Sequence, residues 1–138
     1  CPQDPAQAAL ADQWMEWFKS NVFPHFIPVF FGLVRVPTEQ RDPEKIAEAA
    51  HAIGQKLQIL DQHLEGQQFV VGDSLTMGDI PLGTWAFKYF NLEIERPSLP
   101  NVEAWYARLC ERTPYQTHAM NPFGNSPEEW LELEKAGA

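Results

Sequence analysis

Basic residues are scarce in this chain: ten Lys and Arg face nineteen Asp and Glu, for a net charge of −9 at neutral pH. A surface of that sign repels a nucleic-acid backbone and an anionic membrane alike, so neither is expected as a partner. No apolar run is long enough to span a bilayer. The two cysteines, Cys1 and Cys110, make no disulfide framework, and a reducing, cytoplasmic setting is the expectation. Cys110 sits among apolar neighbours in a helical pattern and reads as a small buried hydrophobe. His25, His51, His63 and His118 show no i, i+4 pairing and no cysteine at ligand spacing, so no metal site is expected. A Gly-x-Ser-x-Gly elbow and a Gly-rich phosphate loop are both missing, and no catalytic residue is nominated. There is no alternating apolar stretch of useful length; Phe69-Val70-Val71 reads as a connector.

What the chain does have is apolar material at helical spacing. With 138 residues, 44% of them hydrophobic, it can build the core of one domain. Residues 1–5 read as a linker, and Asp4-Pro5 is a cap followed by a first-turn proline. Leu10, Trp14, Trp17 and Phe18 then recur at three- and four-residue spacing. Pro24 and Pro28 predict a kinked or broken helix over 22–31, with a loop over 35–41. Asp42-Pro43 opens a second long helix by the same device, and Gly66 is its stop. A third helix is predicted from Met77 to about Phe90, bent by Pro81, and a fourth from about Asn101 to Arg112, closed by Thr113-Pro114. A short helix near 115–120 and a last one opened by Ser126-Pro127-Glu128-Glu129 complete an all-α, helical-bundle reading.

The most specific local signal is Thr76-Met77-Gly78-Asp79, which follows an apolar run and a Gly-Asp turn. It reads as a capping box in which the Thr76 hydroxyl accepts from the Asp79 N–H and the Asp79 carboxylate accepts from the Thr76 N–H. Leu75 and Ile80 are placed to clamp the turn as a hydrophobic staple. Both Thr76 and Asp79 are taken as structural, not catalytic. Three further blocks stand in order with this one: Asp12-Gln13-Trp14-Met15-Glu16-Trp17; Leu57-Gln58-Ile59-Leu60-Asp61-Gln62-His63-Leu64; and Arg96-Pro97-Ser98-Leu99-Pro100 through Trp105 to Arg112-Thr113-Pro114. Together they resemble the C-terminal helical domain of glutathione transferases, of a bacterial, theta-like kind, over nearly the whole chain.

The resemblance implies that residues 6–138 are the all-helical domain and that a thioredoxin-like domain, absent here, precedes it. That domain would bind glutathione, the co-substrate, and activate its thiol, so the isolated chain is expected to be inactive and not to hold glutathione tightly. This chain would supply one wall of the pocket for a small-molecule electrophile, and contacts for a homodimer through its first two long helices. The whole would conjugate glutathione to electrophiles, as in detoxification. By motif position Asp12 matches an acidic residue that reaches across the dimer to glutathione's ammonium; a solvated surface acid is the alternative. Met15, Phe18 and Lys19, three, six and seven residues on, share related faces of the helix. The resemblance turns that face toward the electrophile, with Lys19 drawing an anionic substrate, whereas simple core packing is the alternative for Met15 and Phe18. Trp85 reads as core first and pocket second. Phe23, Phe26, Phe30 and Phe31 could add pocket surface or cover a partner. Arg35 and Arg41 are either carboxylate binders or solvated loop residues. A reading from another class also stands: the fold is similar to helical interaction modules of translation factors, which only dock partners.

Overall fold

A computed structural model describes residues 4–137. Of the linker read at 1–5, residues 1–3 lie outside the described residues, and so does Cys1. Asp4 and Pro5 belong to a helix start: α1 spans Pro5–Trp17, and the Asp4 carboxylate accepts from the Ala6 N–H at 3.1 Å. Pro5 costs nothing there, because a first-turn N–H has no helical partner.

Over 22–31, where a kinked or broken helix is expected, the helix continues without a break. A π-helical turn over Phe18–Val22 leads into α2, Phe23–Phe30, and a second π turn over Phe31–Arg35 ends the run. Each proline ring crowds the carbonyl four residues back. The extra residue in a π turn widens the coil beside Pro24 and after Pro28. The helix therefore changes pitch, and Arg35 belongs to it rather than to the loop; a short 3-10 turn, Thr38–Gln40, follows.

Helix α3 spans Pro43–His63, capped by Asp42, whose carboxylate accepts from the Lys45 N–H at 3.1 Å. Ala49, Ala50, Ile53, Gly54, Leu57 and Leu60 form its buried face. The chain reverses at Gly66, whose φ of +74° suits glycine. Phe69 and Gly72 pair in a single bridge, and no strand exists among the described residues.

Helix α4, Asp79–Asn91, runs against α1 and α5. It starts two residues later than predicted, which puts Pro81 inside the first turn. The bend expected from a lost hydrogen bond has no cause there, since that N–H is unpaired in any helix. Helix α5 spans Pro100–Cys110, α6 Thr113–His118 and α7 Pro127–Lys135. Pro114 both ends α5 and opens α6. Ser126 caps α7, accepting from the Glu129 N–H at 3.2 Å, while the Glu129 carboxylate takes the Asn125 N–H at 2.7 Å. Phe26, Ile53, Leu60, Tyr89, Val102 and Trp105 make the heart of one core, each at most 2% exposed. Burial of each such aliphatic or Phe side chain stabilises the fold by about 1.5–3 kcal/mol. Cys110, expected to be buried, is only half-buried at the end of α5.

Candidate functional site

The side chains singled out on α1 divide between two faces. Asp12 is exposed, and Glu16 and Lys19 continue its row at one-turn spacing. Lys19 Nζ lies 3.3 Å from Glu16 Oε1, with both side chains more than half in solvent, so the pair contributes at most about 1 kcal/mol. Among the described residues no cation lies within ion-pair distance of Asp12. Met15 is half-buried at the border of this row.

Phe18 is on the other face. It is 5% exposed, with its ring 6.1 Å from Phe23 and 6.5 Å from Phe26. Trp85 of α4 completes this cluster: its ring centroid lies 5.2 Å from Phe23, 5.0 Å from Phe26 and 5.8 Å from Phe30. The Lys88 ammonium stands 5.2 Å from the Trp85 ring, and burial lowers its pKa below the usual lysine value. The structure thus brings Phe18 and Trp85 together through two shared phenylalanines, and it leaves Asp12 and Lys19 in solvent. For Phe18, packing is what its burial describes. Phe31 is 50% exposed, whereas Phe26 and Phe30 are buried.

Among the described residues neither Arg35, at the end of the helical run, nor Arg41, in the loop, pairs with a carboxylate. The Arg41 guanidinium donates to the carbonyls of Leu33 at 2.6 Å, Asn125 at 2.8 Å and Val36 at 3.1 Å. It clips the end of the first helical run to the segment before α7. Arg35 lies 3.9 Å above the Trp130 ring in a cation–π contact.

At Thr76 and Asp79 the geometry departs from the expected box. The Asp79 carboxylate does accept the Thr76 N–H, at 2.8 Å. The Thr76 hydroxyl, however, accepts from the Gly78 N–H at 3.3 Å and donates to Asp79 at 3.2 Å, while the Asp79 N–H bonds the Thr76 carbonyl. Ile80 is 56% exposed and does not serve as the buried half of a staple. The other carboxylate oxygen of Asp79 takes the Val70 N–H and the Trp105 indole N–H, both at 3.0 Å. With four donors on it, this carboxylate is 1% exposed and fully satisfied. It ties the 69–71 connector, the start of α4 and the middle of α5 to one point.

Sequence reasoning missed two further polar hubs. Asp61 on α3 accepts from the N–H groups of Asn101 and Val102 at 2.8 and 2.9 Å, capping α5 from another helix. His63 bonds the Val70 carbonyl at 2.7 Å, and its ring packs 4.3 Å from Trp14. A separation of 40 residues leaves no local signal for the first. No group of three or more His, Cys, Asp or Glu among the described residues is placed to hold a metal ion.

A bundle with an inner carboxylate at the start of its central helix, four matching blocks in order and an aromatic wall between α1 and α4 can be set against known proteins. The family model for the glutathione S-transferase C-terminal domain matches residues 10–113. The chain belongs to the glutathione S-transferase C-terminal domain family. The match runs from α1 into the first residue of α6, so it takes in Asp12, Phe18, Asp79 and Trp85 and stops short of α7.

Among individual transferases, the chain is 30% identical to glutathione S-transferase GstB of Escherichia coli over 118 residues, 86% of this chain and 57% of that protein. It is 32% identical over 112 residues to the glutathione S-transferase-like protein LUC7 of a Fusarium species, covering 79% of this chain and half of that one. The theta class glutathione S-transferase of Xanthomonas axonopodis pv. citri, solved in an apo form and with glutathione bound, superposes with a TM-score of 0.85 at 42% identity. That alignment covers 89% of this chain and 64% of that one. This transferase domain therefore spans between half and two thirds of the relatives it matches.

Proposed function

We propose that this domain is the C-terminal part of a glutathione transferase that conjugates glutathione to a small electrophile. It would supply the helical wall of the electrophile pocket and the contacts of a homodimer. The likeness to a theta class enzyme whose glutathione complex is known is the observation that supports this reading. The thiol-activating group would come from a preceding thioredoxin-like domain. Lowering a thiol pKa needs a donor aimed at sulfur, and none of the residues assigned here takes that role.

Within that frame Asp12, exposed and with no cation beside it among the described residues, is the residue suited to hold an ammonium group of glutathione. Met15 and the edge of the Phe23–Trp85 cluster would meet the electrophile, and Phe18 would back them. Lys19, drawn toward Glu16, would add only a weak pull on an anionic substrate.

Glutathione and a chloronitrobenzene electrophile make the test. This chain alone is expected to leave the uncatalysed rate unchanged, and the same chain joined to its thioredoxin-like domain to conjugate. Conjugation by the isolated chain would overturn the division of labour. In the joined protein Asp12→Asn should raise KM for glutathione by about tenfold, the value of one charge-assisted hydrogen bond, with kcat little changed. Light scattering across a concentration series tests the dimer, and a monomer at every concentration would refute it.

A further inference from the structure

Several cations of this chain are committed to its own oxygens. Arg41 serves three backbone carbonyls and Lys19 pairs with Glu16, as described. Arg108 donates to the Gln68 carbonyl at 3.0 Å, and Arg96 to the carbonyls of Leu92 at 2.8 Å and Tyr89 at 3.1 Å. Lys88 stands apart from these. It lies in the last turn of α4, where a lysine ordinarily serves the helix end. Here Asn91 and Arg96 fill that role: the Asn91 amide donates to the Phe87 carbonyl at 2.8 Å, and Arg96 covers the next two carbonyls named. The Lys88 side chain runs back along the helix, as helical side chains do, and its ammonium stands 5.2 Å from the Trp85 ring.

That ammonium is half-buried, and among the described residues no carboxylate lies within ion-pair distance of it. Burial alone lowers its pKa, whereas a carboxylate at hand would raise it. An ammonium that has given up water and gained no anion attracts one more strongly than a fully solvated lysine does. The ring beside it belongs to the aromatic wall. Phe23 and Trp85, 5.2 Å apart and edge to face, are both half-buried, so each keeps a solvent-facing part. Phe26 and Phe30 are buried behind them. A planar ring laid on the open part of Trp85 has the Lys88 ammonium for a neighbour.

We propose that Lys88 selects the electrophile: it pairs with an anionic group, a carboxylate or sulfonate, on an aromatic substrate whose ring lies against Phe23 and Trp85. This rests on the transferase reading and gives the electrophile of that reading a charge and an orientation. With an aryl chloride, the glutathione thiolate forms the carbon–sulfur bond and chloride leaves the ring carbon with the bonding pair. The anionic group is unchanged throughout, so Lys88 is a positioning residue.

The test uses the chain joined to its thioredoxin-like domain, with glutathione and two electrophiles: uncharged chlorodinitrobenzene and chlorodinitrobenzoate, which carries a carboxylate. Lys88→Gln should lower kcat/KM for the benzoate by about tenfold, the worth of one charge-assisted hydrogen bond, mostly through KM. It should shift the uncharged substrate by at most about twofold. Lys88→Arg should restore the preference, and Lys45→Gln, which removes an exposed charge from α3, should leave it as it is. An unchanged ratio of the two kcat/KM values in Lys88→Gln would overturn the role of Lys88, while the conjugation itself upheld the transferase reading. Dinitrobenzoate, which has no leaving group, covers the opposite case. Its binding, read by quenching of tryptophan fluorescence, should weaken about tenfold in Lys88→Gln. That weakening in a protein that conjugates neither electrophile would support the anion site and overturn the transferase reading. Equal affinity of the two proteins for dinitrobenzoate would overturn the anion site.

Discussion

Asp79 shows how far a local signal can understate a residue. Read as a cap, its loss would cost about 0.5–2 kcal/mol. In the fold its carboxylate satisfies the N–H groups of Val70 and Thr76 and the indole of Trp105, all away from water. Asp79→Ala strands three buried donors and should destabilise the domain by about 3 kcal/mol or more in chemical denaturation. Asp79→Asn keeps one acceptor oxygen but turns an NH₂ toward the donors of the other, so it should also destabilise, by about 1.5–3 kcal/mol. Thr76→Ala, which leaves the carboxylate its other three donors, should stay within the capping range of about 0.5–2 kcal/mol. If the two positions cost the same, Asp79 would be only a cap. The bond from the Thr76 N–H to the Asp79 carboxylate was legible because both residues lie within four positions. The hub was not, because Trp105 comes 26 residues later and nothing in its spacing says which way an indole turns.

At the scale of elements the readable features were those written in neighbouring residues. Asp4-Pro5, Asp42-Pro43 and Ser126-Pro127 each start a helix where cap and proline predict one. The buried face of α3 follows its apolar spacing. The failures came where one element acts on another. The prolines of α2 were read as a kink or a break, without the π turns, because the packing that holds a π turn against α3 is invisible locally. Helix α5 has no capping side chain of its own, and Asp61 reaches over from α3 to supply it. Asp61→Ala should therefore cost about 1–2 kcal/mol, and hydrogen exchange should quicken at Asn101 and Val102 before it does in α3. Equal loosening of both helices would mean that the contact is not a cap. Gly78, just ahead of α4, packs tightly on α1, since a Cβ there would lie 2.9 Å from the Ala11 carbonyl oxygen. Backbone cannot swing away as a flexible side chain can, so Gly78→Ala should separate the two helices and lower the melting temperature.

For the whole molecule, fold and site differ in legibility for a physical reason. The fold is decided by contacts that this chain makes with itself. A transferase pocket is proposed to lie between this chain and another domain, so α1 displays only one wall, and from one wall Phe18 could not be told from packing. One global property does rest on this chain alone. Tyr89, Tyr106 and Tyr115 all have their pKa raised above the ordinary 10.0 by burial, the first two to about 12. Below pH 10 both folded and unfolded chains keep these protons, and the stabilisation is complete. As pH rises from 10 toward 12, the unfolded chain ionises first and draws the equilibrium to itself, so stability falls with pH. Lys88, with its pKa lowered from 10.5, has the opposite sign, but it is one group against three. Melting temperature should thus hold flat up to about pH 10 and fall beyond it, in step with tyrosinate absorbance. Tyr89→Phe should make that fall shallower without weakening the fold at neutral pH, because the hydroxyl has no bond to lose. A slope unchanged by the substitution would show that Tyr89 ionises as freely in the folded chain as in the unfolded one.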